Sequence, residues 1–260
     1  MNHKYKLSKY LLVLVLFSQS LFAFKKLPEN FYIDYELFQF IKLRNIEVEK
    51  TQISSGEIKL QYKQKNKKYD LNVLLKTKKF LKFFGDKDIQ SKGFVGNKGL
   101  LFNSFLVNDL KKPKKNVSVT FDRKNDKLKV DYKKKLTEKK YVGNLLDIPT
   151  LILQFHFEKT KPKYSFDFLE GKKVRNIEYK KIKDESIKIN GRNFQTELYE
   201  GEITSVKNSK HFIWLSKSAY RIPIKIRLKM KGGLMIDQNL KKTDLKIKEI
   251  DEYLGLVFKK

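Results

Sequence analysis

Residues 211–236 decide the fold: His211-Phe-Ile-Trp-Leu-Ser-Lys-Ser-Ala-Tyr-Arg-Ile-Pro-Ile-Lys-Ile-Arg-Leu-Lys-Met-Lys-Gly-Gly-Leu-Met-Ile236. From Ile224 to Met230 apolar residues alternate with basic ones: Ile224, Ile226, Leu228 and Met230 against Lys225, Arg227 and Lys229. A period of two predicts a strand with one buried face and one wet face. Phe212 to Leu215 reads as the preceding strand and Ser216 to Tyr220 as the loop between them. Gly232-Gly233 then offers a hairpin turn into Leu234-Met235-Ile236. A meander with one apolar face needs a second layer or a curled sheet to cover it.

The same grammar extends upstream. Asn190-Gly191 is the strongest hairpin signal in the chain, joining Ile187 and Ile189 to Phe194, Thr196 and Leu198. Tyr164, Phe166 and Phe168 alternate toward Gly171, and Val174 to Ile182 follows. Val117, Val119 and Phe121 pair by pattern with Leu128, Val130 and Tyr132 across Lys124-Asn125-Asp126. Ile58, Leu60 and Tyr62 return through Tyr69, Leu71, Val73 and Leu75, with a loop of four or five residues at 65–68. Ser54-Ser55-Gly56 reads as a turn, and Gly93, Gly96 and Gly99 punctuate the middle of the chain. Residues 44–50 alternate, and Phe31, Ile33, Tyr35 and Leu37 share the face of a first strand. Lys111 to Lys115 and Lys133 to Lys140 read as exposed basic loops. Lys241 to Lys260 is a final strand or a loose tail.

Two segments break the period. Asp147 to Phe157 predicts a helix, because Asp147 can cap it and Pro149 sits in a first turn that tolerates proline; its β-branched and aromatic residues leave a strand as the alternative. Leu151, Ile152, Phe155 and His156 would lie near one side. Thr77 to Phe84 predicts a short amphipathic helix, capped by Thr77 and closed by Gly85. Its Phe80, Leu81, Phe83 and Phe84 either cover an open end of the sheet or touch lipid. The expected fold is mainly β: a single antiparallel curved sheet of ten to twelve strands, a barrel or half-barrel, with one or two short helices. The Asp147–Phe157 helix should plug or flank it. No composition shift marks a boundary, so residues 24–260 read as one β domain.

Residues 1–23 read as a secretory signal peptide: Lys4, Lys6 and Lys9, then the apolar run Leu11–Phe17, then Ala23 before the cut. That run is too short to span a bilayer. The expected location is the periplasm or the outer-membrane periphery of a bacterium, with no integral membrane span after cleavage. There is no Cys, so the fold must be held by its own core. The formal charge of +29 falls to +26 when the three lysines of residues 1–23 are removed. Such a surface is drawn to anionic partners. Six of the 58 basic residues are Arg, the type suited to bidentate phosphate and base recognition. A Lys-dominated charge and export argue against nucleic acid and leave an anionic envelope surface.

Residues that could carry chemistry are few. His156 and His211 stand in no metal-ligand spacing, so neither a metal nor another cofactor is expected. Ser216 and Ser218 lie near His211, but no nucleophile turn supports them. Trp214, the single Trp, is either a core anchor or a ligand-stacking residue. Pro223 inside a strand pattern implies an edge or a bulge.

The order of these features resembles a bacterial exported family known as domain of unknown function 3108. The matching parts are the signal peptide, the aromatic strand Phe31–Leu37, Gly99-Leu100, and Phe121-Asp122. Asp147 and Pro149 follow, then an Asn-Gly hairpin, then Ile213 to Ser216 leading to Arg221 to Ile226. After Gly99-Leu100 the family often continues with a proline and a charged residue, where this chain has Leu101-Phe102-Asn103. The resemblance implies a curved antiparallel β fold in the periplasm or at the outer membrane, without an assigned enzyme activity.

The expected function is therefore non-enzymatic: binding of an apolar or amphiphilic envelope component, lipid or lipoprotein, in a curved β-sheet. Trp214, Phe80, Phe83 and Phe84 are the candidate ligand contacts, and Asp147, Pro149, Trp214, Ser216 and Pro223 form the structural motif. One alternative is a structural or interaction protein of the envelope with a filled core. A second is a cell-wall glycan enzyme using carboxylates.

Overall fold

The computed structural model describes residues 26–41, 53–206, 210–218, 220–229 and 234–247. The expected signal peptide, the expected alternation at 44–50, the expected Gly232-Gly233 turn and the residues beyond 247 lie outside them. Among the described residues, fifteen strands form one sheet. They are β1 (Asn30–Ile41), β2 (Ile53–Lys65), β3 (Lys68–Thr77), β4 (Lys87–Gly96), β5 (Gly99–Asp109), β6 (Val117–Asp122), β7 (Lys127–Tyr132) and β8 (Lys135–Lys140). Then come β9 (Leu145–Asp147), the helix α1 (Ile148–Phe157), β10 (Lys163–Glu170), β11 (Lys173–Ile189), β12 (Arg192–Ile203), β13 (Lys210–Ser216), β14 (Pro223–Lys229) and β15 (Leu234–Thr243).

The order in space is β8 through β1, then β15 down to β9. β1 pairs with β2 on one side and with β15 on the other, so the two ends of the fold meet mid-sheet. Neighbours are antiparallel, as short connections require. The exception is β9 with β10, which run parallel because α1 crosses between them. The sheet is curled and not closed. Its edges β8 and β9 do not pair, but the curl brings β9 beside β5. A Tyr141 hydroxyl just after β8 donates to Asp167 of β10 at 2.8 Å, across the gap. α1 packs against β4, β5, β9 and β10 and so plugs the opening.

Alternation builds the core. On β1, Phe31, Ile33, Tyr35 and Leu37 are buried, and on β6, Val117, Val119 and Phe121 are buried between exposed neighbours. One large apolar group runs from β1 through β7 and takes in Leu145, Leu153 and Leu240. A second gathers Phe155 of α1 against Tyr164, Phe166, Tyr179, Tyr199 and Ile213. A third, Leu37, Leu81 and Ile236 with Phe84 against them, closes one end.

Several local expectations are corrected. The 65–68 loop is a two-residue turn: Asn66 and Lys67 sit at φ 50° and 61°, as a tight hairpin with right-handed strand twist demands. Lys133 to Lys140 is a turn at Lys133-Lys134 followed by β8, not a loop. It hid in the sequence because β8 is exposed along its whole length, so no apolar period marks it. A lysine-rich edge of this kind blocks pairing with other chains. Ser54-Ser55-Gly56 is no turn but part of β2, where the β1–β2 register shifts. The 77–84 helix is a 3-10 turn, Lys79–Phe84, without a side-chain cap. Thr77 instead ends β3, and its backbone N–H and hydroxyl both donate to Asp86. Gly85 does close the turn, at φ 74°.

Candidate functional site

α1 is the element on which the two halves converge. Asp147 caps it, accepting from the Thr150 N–H at 2.8 Å, while Thr150 Oγ1 accepts from the Asp147 N–H at 2.9 Å. This reciprocal pair satisfies two of the helix's orphan donors. Asp147 also accepts from the Ser91 hydroxyl of β4 at 2.5 Å, and the Ser91 hydroxyl lies 3.0 Å from that of Tyr69. Asp147 is fully buried, and burial pushes its carboxyl up to about 6 against the pull of those hydrogen bonds. Gln154 then donates to the Lys98 carbonyl in the β4–β5 turn at 2.8 Å. Gly99, at φ 137°, lets that approach happen, since a Cβ there would run into the Gln154 amide.

The other end of α1 is held by Arg221. Its guanidinium donates to the Phe155 carbonyl at 3.1 Å and to the Glu158 carbonyl at 2.5 Å. The Phe155 carbonyl also accepts from the Glu158 N–H at 3.4 Å, and a cation suits this helix end. The same group donates to Tyr164 Oη at 3.1 Å and to Glu197 Oε2 at 2.7 Å. Lys181 reaches the second Glu197 oxygen at 3.2 Å. Burial pushes the Glu197 carboxyl upward, but Arg221 and Lys181 outweigh it and the net displacement is downward. Helix residues Pro149, Thr150, Leu153, Gln154, Phe155 and His156 are buried, whereas Leu151 and Ile152 are half-buried. The inward side is thus turned from the expected one, because α1 is enclosed from two directions. His156 is buried with Nδ1 3.1 Å from the Tyr220 carbonyl, and burial holds its pKa below the ordinary range.

The predicted contacts do not form one cluster. Trp214 is half-buried on the side of β13 opposite the buried Ile213 and Leu215. Its indole N–H donates to Glu185 at 2.7 Å, and Lys225 stands 5.2 Å above its ring. The neighbouring face of β14 is not wet. Arg227 grips the buried Asp237 through two bonds of 2.8 and 2.9 Å, and Lys225 reaches it at 2.8 Å. Pro223 lies inside the sheet beside a bulge, not on an edge. Ser216 bonds to Ser218, 2.8 Å apart. His211, the second residue of β13, lies opposite Leu228, with its pKa held down by burial.

The aromatics of 79–84 do not share one environment. Leu81 is buried and Phe84 packs on the closing group, so these cover the sheet end. Phe83 lies against Phe84, ring centres 4.0 Å apart, yet remains 57% exposed. The side chain of Phe80 lies outside the described residues.

Among the described residues no group of three His, Asp or Glu could hold a metal. No described helix is long and apolar enough to cross a membrane. Among the described residues the four buried carboxylates are each engaged: Asp109 by Lys87, Asp147 by the α1 cap, Glu197 by Arg221 and Lys181, Asp237 by Arg227 and Lys225.

The fold therefore defines a β-barrel-like protein, open along one seam and plugged by a helix. The chain belongs to the family of proteins of unknown function DUF3108, whose model matches residues 35–239. No curated protein matches it. Among solved structures it is similar to a β-barrel-like protein of domain of unknown function DUF1849 from Brucella abortus. That match has 14% identity and a TM-score of 0.52, covering 84% of this chain and 98% of the other. It is also similar, at 11% identity and a TM-score of 0.31, to a Vibrio parahaemolyticus domain provisionally described as an outer membrane lipoprotein-sorting protein domain. There the coverage is 92% of this chain and 94% of the other.

Proposed function

We propose that this is a non-catalytic protein of the bacterial cell envelope that binds an apolar or amphiphilic envelope component, lipid or lipoprotein. The observation that carries the reading is Phe83. It is a large aromatic left exposed at the end of an apolar sheet, on a base fixed by Leu81 and Phe84. A lone exposed aromatic is ordinary on a protein surface, but Leu110 is exposed on the adjoining loop, so this one belongs to a paired apolar tip. The engagement of each buried carboxylate in holding α1 or the sheet favours binding over chemistry. Native mass spectrometry of protein purified from the envelope tests this. A retained lipid or lipoprotein is expected, and protein that emerges bare from gentle extraction, with no such partner after crosslinking, counts against it.

A second reading is a structural or interaction protein whose inner face is solid. It is favoured by the lining itself, since Ile33, Leu71, Leu100 and Phe102 are fully buried beneath the protein's own side chains. The two readings agree on where recognition happens: at the outside and the rim, unless α1 is displaced.

A further inference from the structure

We propose that the end of the sheet formed by the Lys79–Phe84 turn and the Leu110–Lys115 loop docks on an anionic lipid surface. This rests on the amphiphile-binding reading above and names the partner. The two segments are neighbours in space. The Leu110 N–H donates to the Asp86 carbonyl at 3.0 Å, and a Cβ on Gly85 would stand 3.2 Å from Asp109. Each carries an apolar tip, Phe83 at 57% and Leu110 at 56% exposure.

Around those tips stand four lysines between residues 76 and 82 and four between 111 and 115, all exposed. Among the described residues, none of the eight has an ion-pair partner, although lysines elsewhere on the sheet do, such as Lys92 with Asp70 and Lys127 with Glu138. Asp88 is exposed nearby, while the two acids at the junction itself are engaged by hydrogen bonds. Asp86 accepts from Thr77, and Asp109 accepts from the Lys111 and Lys112 N–H groups and from Lys87. Asp109 thereby fixes the basic loop. The lysines of that loop also line a groove of about 1210 Å³ together with Lys133 and Lys134, with Asp131 as the single acid among the described lining residues.

An apolar tip alone would suit any greasy groove, and a lysine collar alone would suit any polyanion. Together they match the boundary between anionic headgroups and acyl chains. Lysine serves here as a diffuse point charge, without the fixed fork that bidentate phosphate recognition uses.

The test uses the mature chain and vesicles of phosphatidylcholine, with or without phosphatidylglycerol, in a flotation assay. Binding to the anionic vesicles is expected, weakening as salt rises. A Phe83→Ser, Leu110→Ser double variant should lose on the order of tenfold in affinity, and Lys111→Glu with Lys115→Glu a similar amount or more. Lys139→Glu with Lys140→Glu, on the β8 edge, should change little. Unaltered Trp214 emission shows that each variant is folded. If the serine variant binds like the parent, the surface is a plain polyanion site and the proposal falls. Equal loss from the β8 reversals also overturns it, since charge would then act without location. A lipid or lipoprotein recovered from the envelope by a protein that ignores both vesicles would remove this surface and leave the amphiphile reading standing. No amphiphile in either experiment removes both.

Discussion

At Arg221 the backbone takes a φ of 44°, an unusual value for a residue with a side chain. The position is held because the guanidinium joins α1, β10 and β12 at once. Removing it leaves Glu197 buried beside Lys181 alone. Arg221→Ala should cost about 3–5 kcal/mol in a denaturant titration, and Arg221→Lys much of the same because the fork is lost. Pairing Arg221→Met with Glu197→Leu should cost less than Arg221→Ala; additive losses would show that the pair is not coupled. Asp147 gives a pH signature. Its folded carboxyl sits at about 6, above the value near 4 of an unfolded aspartate. The folded chain then binds this proton more tightly, so its contribution is full below about pH 4 and is lost as pH rises toward about 6. His156 and His211 act in the opposite sense, because their folded values are depressed. Comparison with Asp147→Asn cancels the histidines. The melting-temperature difference, parent minus variant, should grow as pH falls from about 7 to about 4; a constant difference would contradict the burial argument.

Among the elements, the hairpins were legible and the seams were not. Asn190-Gly191 and the β6–β7 pair announce themselves by turn chemistry and a period of two. β8 did not, since an exposed lysine edge has no apolar partner to betray it. The 79–84 segment has helical spacing, but six residues that must bend across a sheet end fit the tighter 3-10 geometry. The β4–β5 bulge at Lys92-Gly93 is a further case. A Cβ on Gly93 would run into the Leu101 carbonyl, which is backbone and cannot rotate away. Gly93→Ala should therefore cost about 1–3 kcal/mol by thermal melting. Gly171→Asn, in an open turn at φ 58° that asparagine tolerates, should cost less. Equal losses would mean that strand packing is not what fixes Gly93.

For the whole molecule the consequence is cooperativity. β1 pairs with β15 across some two hundred residues of chain, and one core contains both Leu27 and Leu245. Neither half can bury its lining alone. Backbone circular dichroism and Trp214 emission should report the same single transition. Separate midpoints for β-content and for the indole would show two units instead. Folding should also be slow for the size of the chain, because so many pairings are distant in sequence.

Periodicity and turn chemistry alone determined a curled, one-layered β protein with a capped helix at Asp147 and no cysteine staple, since these depend on neighbours within a few residues. The candidate contact at Phe83 was visible as an aromatic cluster, but its division into covering and exposed residues was not. Tertiary structure decided that α1 fills the lining, that Arg221 meets Glu197, and that the 79–84 and 110–115 segments share one end. Each of those depends on how far the sheet curls, and curl sums small twists over the fifteen described strands, a sum no local stretch of sequence records.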